Sequence, residues 1–171
     1  VTNYIRNASM NSNTNDFGAG SSGTDYSVSW DGTIGHSGKG SAKITKGNSH
    51  NGSLYFYQGF DPILTEKTDF TFSVHVYTGN ASLTGECKLL AQIYSAGSYV
   101  GNATSAPLSS AGEWTKMVLP VTLQAGQTMT IGLSMTGAYG TIWVDDIQLE
   151  EGEAAGDFNL LENSNFDRDS A

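Results

Sequence analysis

Along this chain, hydrophobic and polar residues alternate with a period of two almost everywhere. In residues 69–78, DFTFSVHVYT, Phe70, Phe72, Val74 and Val76 share one parity, while Thr71, Ser73, His75 and Tyr77 share the other. Residues 128–135, TMTIGLSM, repeat the pattern with Met129, Ile131, Leu133 and Met135. Residues 114–123, WTKMVLPVTL, set Met117, Leu119, Val121 and Leu123 inward. Further strands are predicted over 27–30, 41–45, 53–60, 88–94 and 141–149. Such alternation marks half-buried strands, with one face in a core and one in solvent. Between them lie clusters of Gly, Ser, Asn and Asp, among them NSNTNDFGAGSSGTD, GTIGHSGKG, SAGSYVGN and TGAYG. Their composition predicts turns and loops.

No window reads as an amphipathic helix. Some eight strands therefore predict an all-β fold, an antiparallel β-sandwich whose two sheets share one core. The last strand changes phase. Ile142 and Val144 have one parity, Ile147 and Leu149 the other. One extra residue near Asp145 and Asp146 restores the alternation, which predicts a β-bulge there.

The end of the chain resembles its beginning. NLLENSNF, residues 159–166, lies over NYIRNASM, residues 3–10, with Asn159 on Asn3, Leu161 on Ile5, Asn163 on Asn7 and Phe166 on Met10. The link between, EEGEAAGDF, is acidic and contains Gly. This predicts one module over 1–152, a linker over 153–158, and over 159–171 the first residues of a following tandem module.

Composition narrows the partners. The chain has 171 residues, enough for one domain with a real core. Its 17 acids against 8 bases leave a formal charge of −9. Nucleic acid and anionic membrane surfaces call for clustered Lys and Arg, and the sequence has none. No stretch of 18 apolar residues suggests membrane insertion. The single cysteine, Cys87, has no intramolecular disulfide partner and reads as a small core residue. GAGSSG, residues 18–23, fits the G-x-G-x-x-G fingerprint. That fingerprint works only between a strand and the helix it opens, and neither is predicted around it. Asp145 and Asp146 are adjacent on one strand, so they do not straddle a glycosidic bond as a hydrolase pair must. The three histidines show no metal-type spacing. An enzyme is not predicted.

The order of several short elements resembles the carbohydrate-binding modules of the family 4, 9 and 22 group. These are NYIRNASMN, SGKGSAKIT, FTFSVHVYTG, GEWTKMVLPVTL and IWVDDIQLEEGE, together spanning residues 3 to 153. The closing stretch also resembles repeated modules of large secreted bacterial cell-wall proteins of the YD-repeat type. The resemblance implies a galactose-binding-like jelly roll and an extracellular, cell-wall-associated setting. It further implies a glycan or polysaccharide partner and neighbouring modules in the same chain. The alternative is a structural or adhesive spacer with no sugar site.

A sugar site on such a fold takes aromatic faces for stacking and polar side chains for the hydroxyls. The outward candidates are Tyr55, Tyr57, His75, Tyr77, Gln92, Tyr94 and Trp143, and alignment of neighbouring strands would join Tyr57, His75, Tyr77, Gln92 and Tyr94 in one patch. The alternative is that these rings cap the core edge or pack under loops. Trp114 reads as a strand-entry anchor. Trp30 reads as an anchor or the lip of a cleft, and Tyr99 and Tyr139 sit in loops within reach of a binding face. The resemblance also implies a structural Ca²⁺ held by Asp145 or Asp146, by Asn11, and by backbone oxygens around Lys39 and Ser41. Asn11 replaces the family's Glu, which removes one negative ligand. The alternative role for the two aspartates is to shape the bulge.

Overall fold

The computed structural model describes residues 2–10, 13–47, 52–79, 82–110 and 112–152. These form ten β-strands: β1 (Gly18–Ser21), β2 (Tyr26–Asp31), β3 (Ser41–Lys46), β4 (Ser53–Phe60), β5 (Thr68–Tyr77), β6 (Ser82–Ser95), β7 (Ser98–Thr104), β8 (Leu108–Ser110), β9 (Thr115–Leu123) and β10 (Gln127–Glu151). Every pairing is antiparallel. One sheet runs β1-β4-β10-β6, with β7 and β8 on the far edge of β6. The other runs β2-β3-β10-β5-β9. The predicted sandwich is therefore the observed one, and the proposed linker and second-module start lie outside the described residues.

The inward parity was legible. Phe70, Phe72, Val74 and Val76 from one sheet, and Met129, Ile131, Leu133 and Met135 from the other, are none of them more than 2% exposed. Burying each such side chain contributes roughly 1.5–3 kcal/mol. Cys87 lies among them, fully buried.

β10 joins the sheets. Its first part lies between β4 and β6, its last part between β3 and β5. The sequence predicted two strands separated by a turn at TGAYG. Instead the chain crosses from sheet to sheet there without leaving the ladder. Gly137 (φ 59°) and Gly140 (φ 139°) adopt left-handed backbone that other residues avoid, and the pairing slips between Thr136 and Tyr139. The bulge forms where the phase change put it. Pairing with β5 shifts between Asp145 and Gln148, and Asp146 takes a φ of 46°.

β1 and most of β7 fall in segments predicted as loops, and β8 in a stretch where no strand was predicted. β1 is Gly-rich, and β7 is largely exposed on both parities. As edge strands they carry no alternation for a sequence reading to detect.

The opening segment fastens onto the closing part of β10. The side-chain amide of Asn3 acts as an extra peptide group, donating to the Ile147 carbonyl (2.9 Å) and accepting from the Leu149 N–H (2.8 Å). Tyr4 N–H donates to the Leu149 carbonyl, and Ile147 N–H to that of Ala8. Ile5 and Met10 enter the core.

Candidate functional site

The outward strand positions do not converge on one patch. β4 and β6 belong to one sheet and β5 to the other, so Tyr55, Tyr57, Gln92 and Tyr94 lie on one outer face, and His75, Tyr77 and Trp143 on the opposite one. The single five-residue patch is corrected accordingly. Strand parity says whether a residue points in or out, but says nothing about which sheet its strand joins.

On the first face, Tyr55 and Tyr57 stack with ring centroids 5.0 Å apart. Both are half-buried. The Tyr55 hydroxyl reaches across β10 and donates to the Leu90 carbonyl at 3.1 Å, with Thr130 Oγ1 also at 3.1 Å. It crosses at Gly132, which lies between Tyr57 and Leu90 in the ladder and carries no side chain. Burial pushes the Tyr55 phenol well above its ordinary pKa, so it remains a neutral donor. Tyr57 leans the other way, over β1. A Cβ on Gly18 would stand 3.1 Å from its ring, and one on Gly20 3.8 Å away. That is a use for the first two glycines of GAGSSG. They are strand residues that leave an aromatic ring its space, in a strand that opens no helix.

The same face continues onto β6 and β7. Gln92 Oε1 accepts from Thr130 and from the Tyr94 hydroxyl, both at 3.4 Å. Tyr94 meets Tyr99 edge-on at 6.0 Å, and Tyr99 is 54% exposed. The face thus offers two aromatic pairs flanking Thr130 and Gln92. Between them, Gly59 and Gly132 leave positions without side chains. This is the combination a sugar ring needs: ring surface, amide and hydroxyl groups, and an unobstructed approach.

The second face carries a ladder of rings across β10, β5 and the entry to β9. Trp143 on β10 pairs in register with Tyr77 on β5, and their rings are 5.6 Å apart. Tyr77 stacks on Trp114 at 5.6 Å. The Trp143 indole N–H donates to Asp31 (2.9 Å), and Lys43 lies 5.8 Å from its ring centre. These contacts place the rings against one another and against charged neighbours, so much of their surface is already covered. Trp114, read as a strand-entry anchor, belongs to this ladder.

Beside it sits a His/Asp cluster. His36 stacks on His75 at 4.0 Å, and His36 Nδ1 lies 2.6 Å from Asp146 Oδ2. His75 is held below its ordinary pKa, first by burial and then by the neighbouring His36. Asp145 accepts the backbone N–H of His36 (2.9 Å) on one oxygen and that of Asp146 (2.8 Å) on the other. Burial, and then the Asp146 charge, push its carboxyl up to about 8. Ser41 Oγ donates to the Ile34 carbonyl. Calcium needs six to eight oxygens. Here the only buried carboxylate oxygen of the pair without a hydrogen-bond partner is Asp146 Oδ1. Among the described residues no three His, Cys, Asp or Glu side chains are grouped to hold a metal. Asn11 lies outside the described residues. The side-chain donors among the described residues do not by themselves complete a calcium shell, and the pair's visible work is to pin the 34–40 loop to the bulge.

Trp30 is an anchor, its indole N–H donating to the Met10 carbonyl at 2.7 Å. Its ring packs so close to Gly32 and Gly40 that a Cβ on either would clash. Tyr139 lies in the crossover of β10 and is 43% exposed.

No family model matches the chain, and no curated protein does. Solved structures do. The CBM22-1 xylan-binding domain from Paenibacillus barcinonensis Xyn10C is 16% identical with a TM-score of 0.63, over 86% of this chain and 94% of that one. A Stig cyclase from Fischerella sp. TAU is 13% identical with a TM-score of 0.61, over 90% and 98%. The enzymatically active domain of the Bacteriophage CBA120 tailspike protein 4 is 11% identical with a TM-score of 0.67, over 88% of this chain. The match spans only 21% of that tailspike chain. At such identities the likeness establishes the fold, a β-sandwich of the kind carbohydrate-binding modules use.

Proposed function

We propose that this chain is a non-catalytic carbohydrate-binding module, and that it holds a glycan chain on the β4-β10-β6-β7 face. The observation that carries the reading is the arrangement there: the Tyr55–Tyr57 and Tyr94–Tyr99 pairs flank Thr130 and Gln92 on one sheet. Stacking on the rings supplies affinity, and the hydroxyl and amide groups orient the sugar. The fold shared with xylan-binding domains favours a β-linked polysaccharide as ligand. Within a secreted wall-associated parent carrying tandem copies, weak single sites would gain avidity through effective concentration.

The test is isothermal titration with soluble xylan, cello-oligosaccharides and cell-wall glycans. Binding should be weakened at least about tenfold by Tyr57→Ala or Tyr94→Ala, which removes a stacking ring worth on the order of 1.5 kcal/mol. Trp143→Ala, on the opposite face, should leave it unchanged. A folded protein that binds no glycan on a broad array would instead support the spacer role.

A further inference from the structure

Where β4 hands over to β5, the opening segment, residues 59–64 and the ends of β5 and β10 enclose a cleft of about 580 Å³. That volume falls within the roughly 300–1,000 Å³ of small-molecule sites. The cleft opens between the sheets and not on either outer face. Phe60 and Phe70 line it, and both belong to the inward parity of their strands: Phe60 pairs in register with buried Met129, and Phe70 is 1% exposed.

Its aromatic part is a trio. The Tyr4 ring lies 5.3 Å from that of Phe60 and 6.2 Å from that of Phe70, and Phe60 meets Phe70 edge-on at 5.2 Å. Tyr4 is 37% exposed, so the trio keeps ring surface open to a visitor. Across from it runs the 61–64 loop, held by the Gly126 N–H donating to the Leu64 carbonyl at 3.0 Å. Ile63 in this loop is 98% exposed. A lone exposed isoleucine is ordinary on a protein surface. This one lines an aromatic cleft, where a seated molecule would take it out of water.

The charges of the lining are uneven. Asp61 and Glu151 both line the cleft. Arg6 lines it too, but its guanidinium already faces Asp16 at 3.7 Å. The charge left over is negative, in keeping with the chain's formal −9. This combination selects among ligands. A sugar would press hydroxyls against phenyl and aliphatic surface that offers them no partner. An anion would be repelled, and a neutral hydrocarbon would leave both acids unused. A flat ring on a short tether to an ammonium group uses everything present: the ring packs on the aromatic trio, and the cation meets the carboxylates.

We propose that this cleft is a second binding site, for small aryl-alkyl ammonium ions, with Tyr4, Phe60 and Ile63 around the ring and Asp61 and Glu151 at the cation. It shares no residue with the β4-β10-β6-β7 face and does not depend on the glycan reading.

The test is titration of the ¹⁵N-labelled chain, followed by NMR, with tryptamine, tryptophol and indole-3-propionate. The three share the indole and its two-carbon tether and end in an ammonium, a hydroxyl and a carboxylate. Tryptamine should shift the amides of residues 4–6, 60–64 and 151 saturably. Tryptophol should bind at least about fivefold more weakly, and the propionate weaker still. Asp61→Asn with Glu151→Gln should bring tryptamine down to the level of tryptophol. Ile63→Ser, at a side chain too exposed to support the fold, should weaken all three ligands alike and leave the melting temperature unchanged. Tyr57→Ala should leave tryptamine binding as it is. No saturable shift at millimolar tryptamine would overturn the proposal, and so would shifts confined to the β4-β10-β6-β7 face. Equal affinity for the three ligands would overturn the assignment of a cation, and parental affinity in Ile63→Ser would take the loop out of the site.

Discussion

Gly18 lies beneath the ring of Tyr57, close enough that a Cβ there would come within 3.1 Å of it. The contact is with the far end of a side chain, so the ring would give way while the strand held. Gly18→Val should therefore displace Tyr57 with little effect on folding, because valine suits an edge strand. Glycan affinity should drop several-fold while the melting temperature stays within about 2 °C. Titration paired with a thermal melt checks both. A variant that binds as the parent does would remove Tyr57 from the site.

Gly132 is a stricter case. A side chain there would run into the Phe56 carbonyl on the neighbouring strand. That obstacle is backbone in the middle of a paired ladder, so relief requires the β4–β10 pairing to open. Gly132→Ala should destabilise by about 1–3 kcal/mol. Chemical denaturation is the measurement, and an unchanged midpoint would show that the ladder yields more easily than its register implies.

These two glycines show what was legible in the sequence. Alternation in 69–78 and 128–135 fixed which residues enter the core, because burial on one face of a strand leaves a period of two. The shift of parity after Val144 located the bulge for the same reason. Sheet membership left no comparable trace. Tyr57 and Tyr77 carry the same signature, an aromatic on the polar parity, yet they stand on opposite faces because β4 and β5 pair with different parts of β10. The clamp of Asn3 on Leu149 was equally hidden, since it joins residues 146 positions apart.

Asp145 gives the fold a pH dependence. Its carboxyl is pushed up to about 8 in the folded protein, against 3.8 for the ordinary group, chiefly by burial and then by Asp146. The folded state thus binds the proton more tightly than the unfolded state. This contribution is fully present below about pH 4 and is lost as pH rises through about 8. His75 acts in the opposite sense. Its folded pKa is lowered, so its contribution is present above its ordinary value of 6.5 and lost as pH falls. Asp145→Asn mimics the protonated acid. Melting temperatures followed from pH 4 to 8 should decline less steeply in that variant than in the parent. Parallel profiles would assign the slope to other groups.

The same two aspartates decide the outcome of metal removal. Both Asp145 oxygens accept backbone N–H groups, and Asp146 Oδ2 faces His36. With those donors committed, the pair has little left to offer a hard cation. The melting temperature should therefore be the same in excess calcium and in EDTA. Stabilisation by calcium of more than about 2–3 °C, on the order of 1 kcal/mol, would show that the 34–40 loop rearranges to free the carboxylates.

Cys87 tests the core independently of either face. The thiol is fully buried, and burial pushes it up to about 12. Only the thiolate reacts readily, so at pH 8 both access and ionisation oppose modification. Native protein should show no fast reaction with an aromatic disulfide reagent at that pH, and one thiol per chain should titrate after denaturation. Because Cys87 pairs with Met135 near the end of the β10 segment that lies in its own sheet, the residual native rate also reports how often the β6–β10 ladder opens. Gly132→Ala, which strains the β4 side of the same stretch of β10, should raise that rate in step with its loss of stability if opening is global. A rate that rises while the denaturation midpoint stays fixed would mean that this part of the sheet opens locally, apart from the rest of the sandwich.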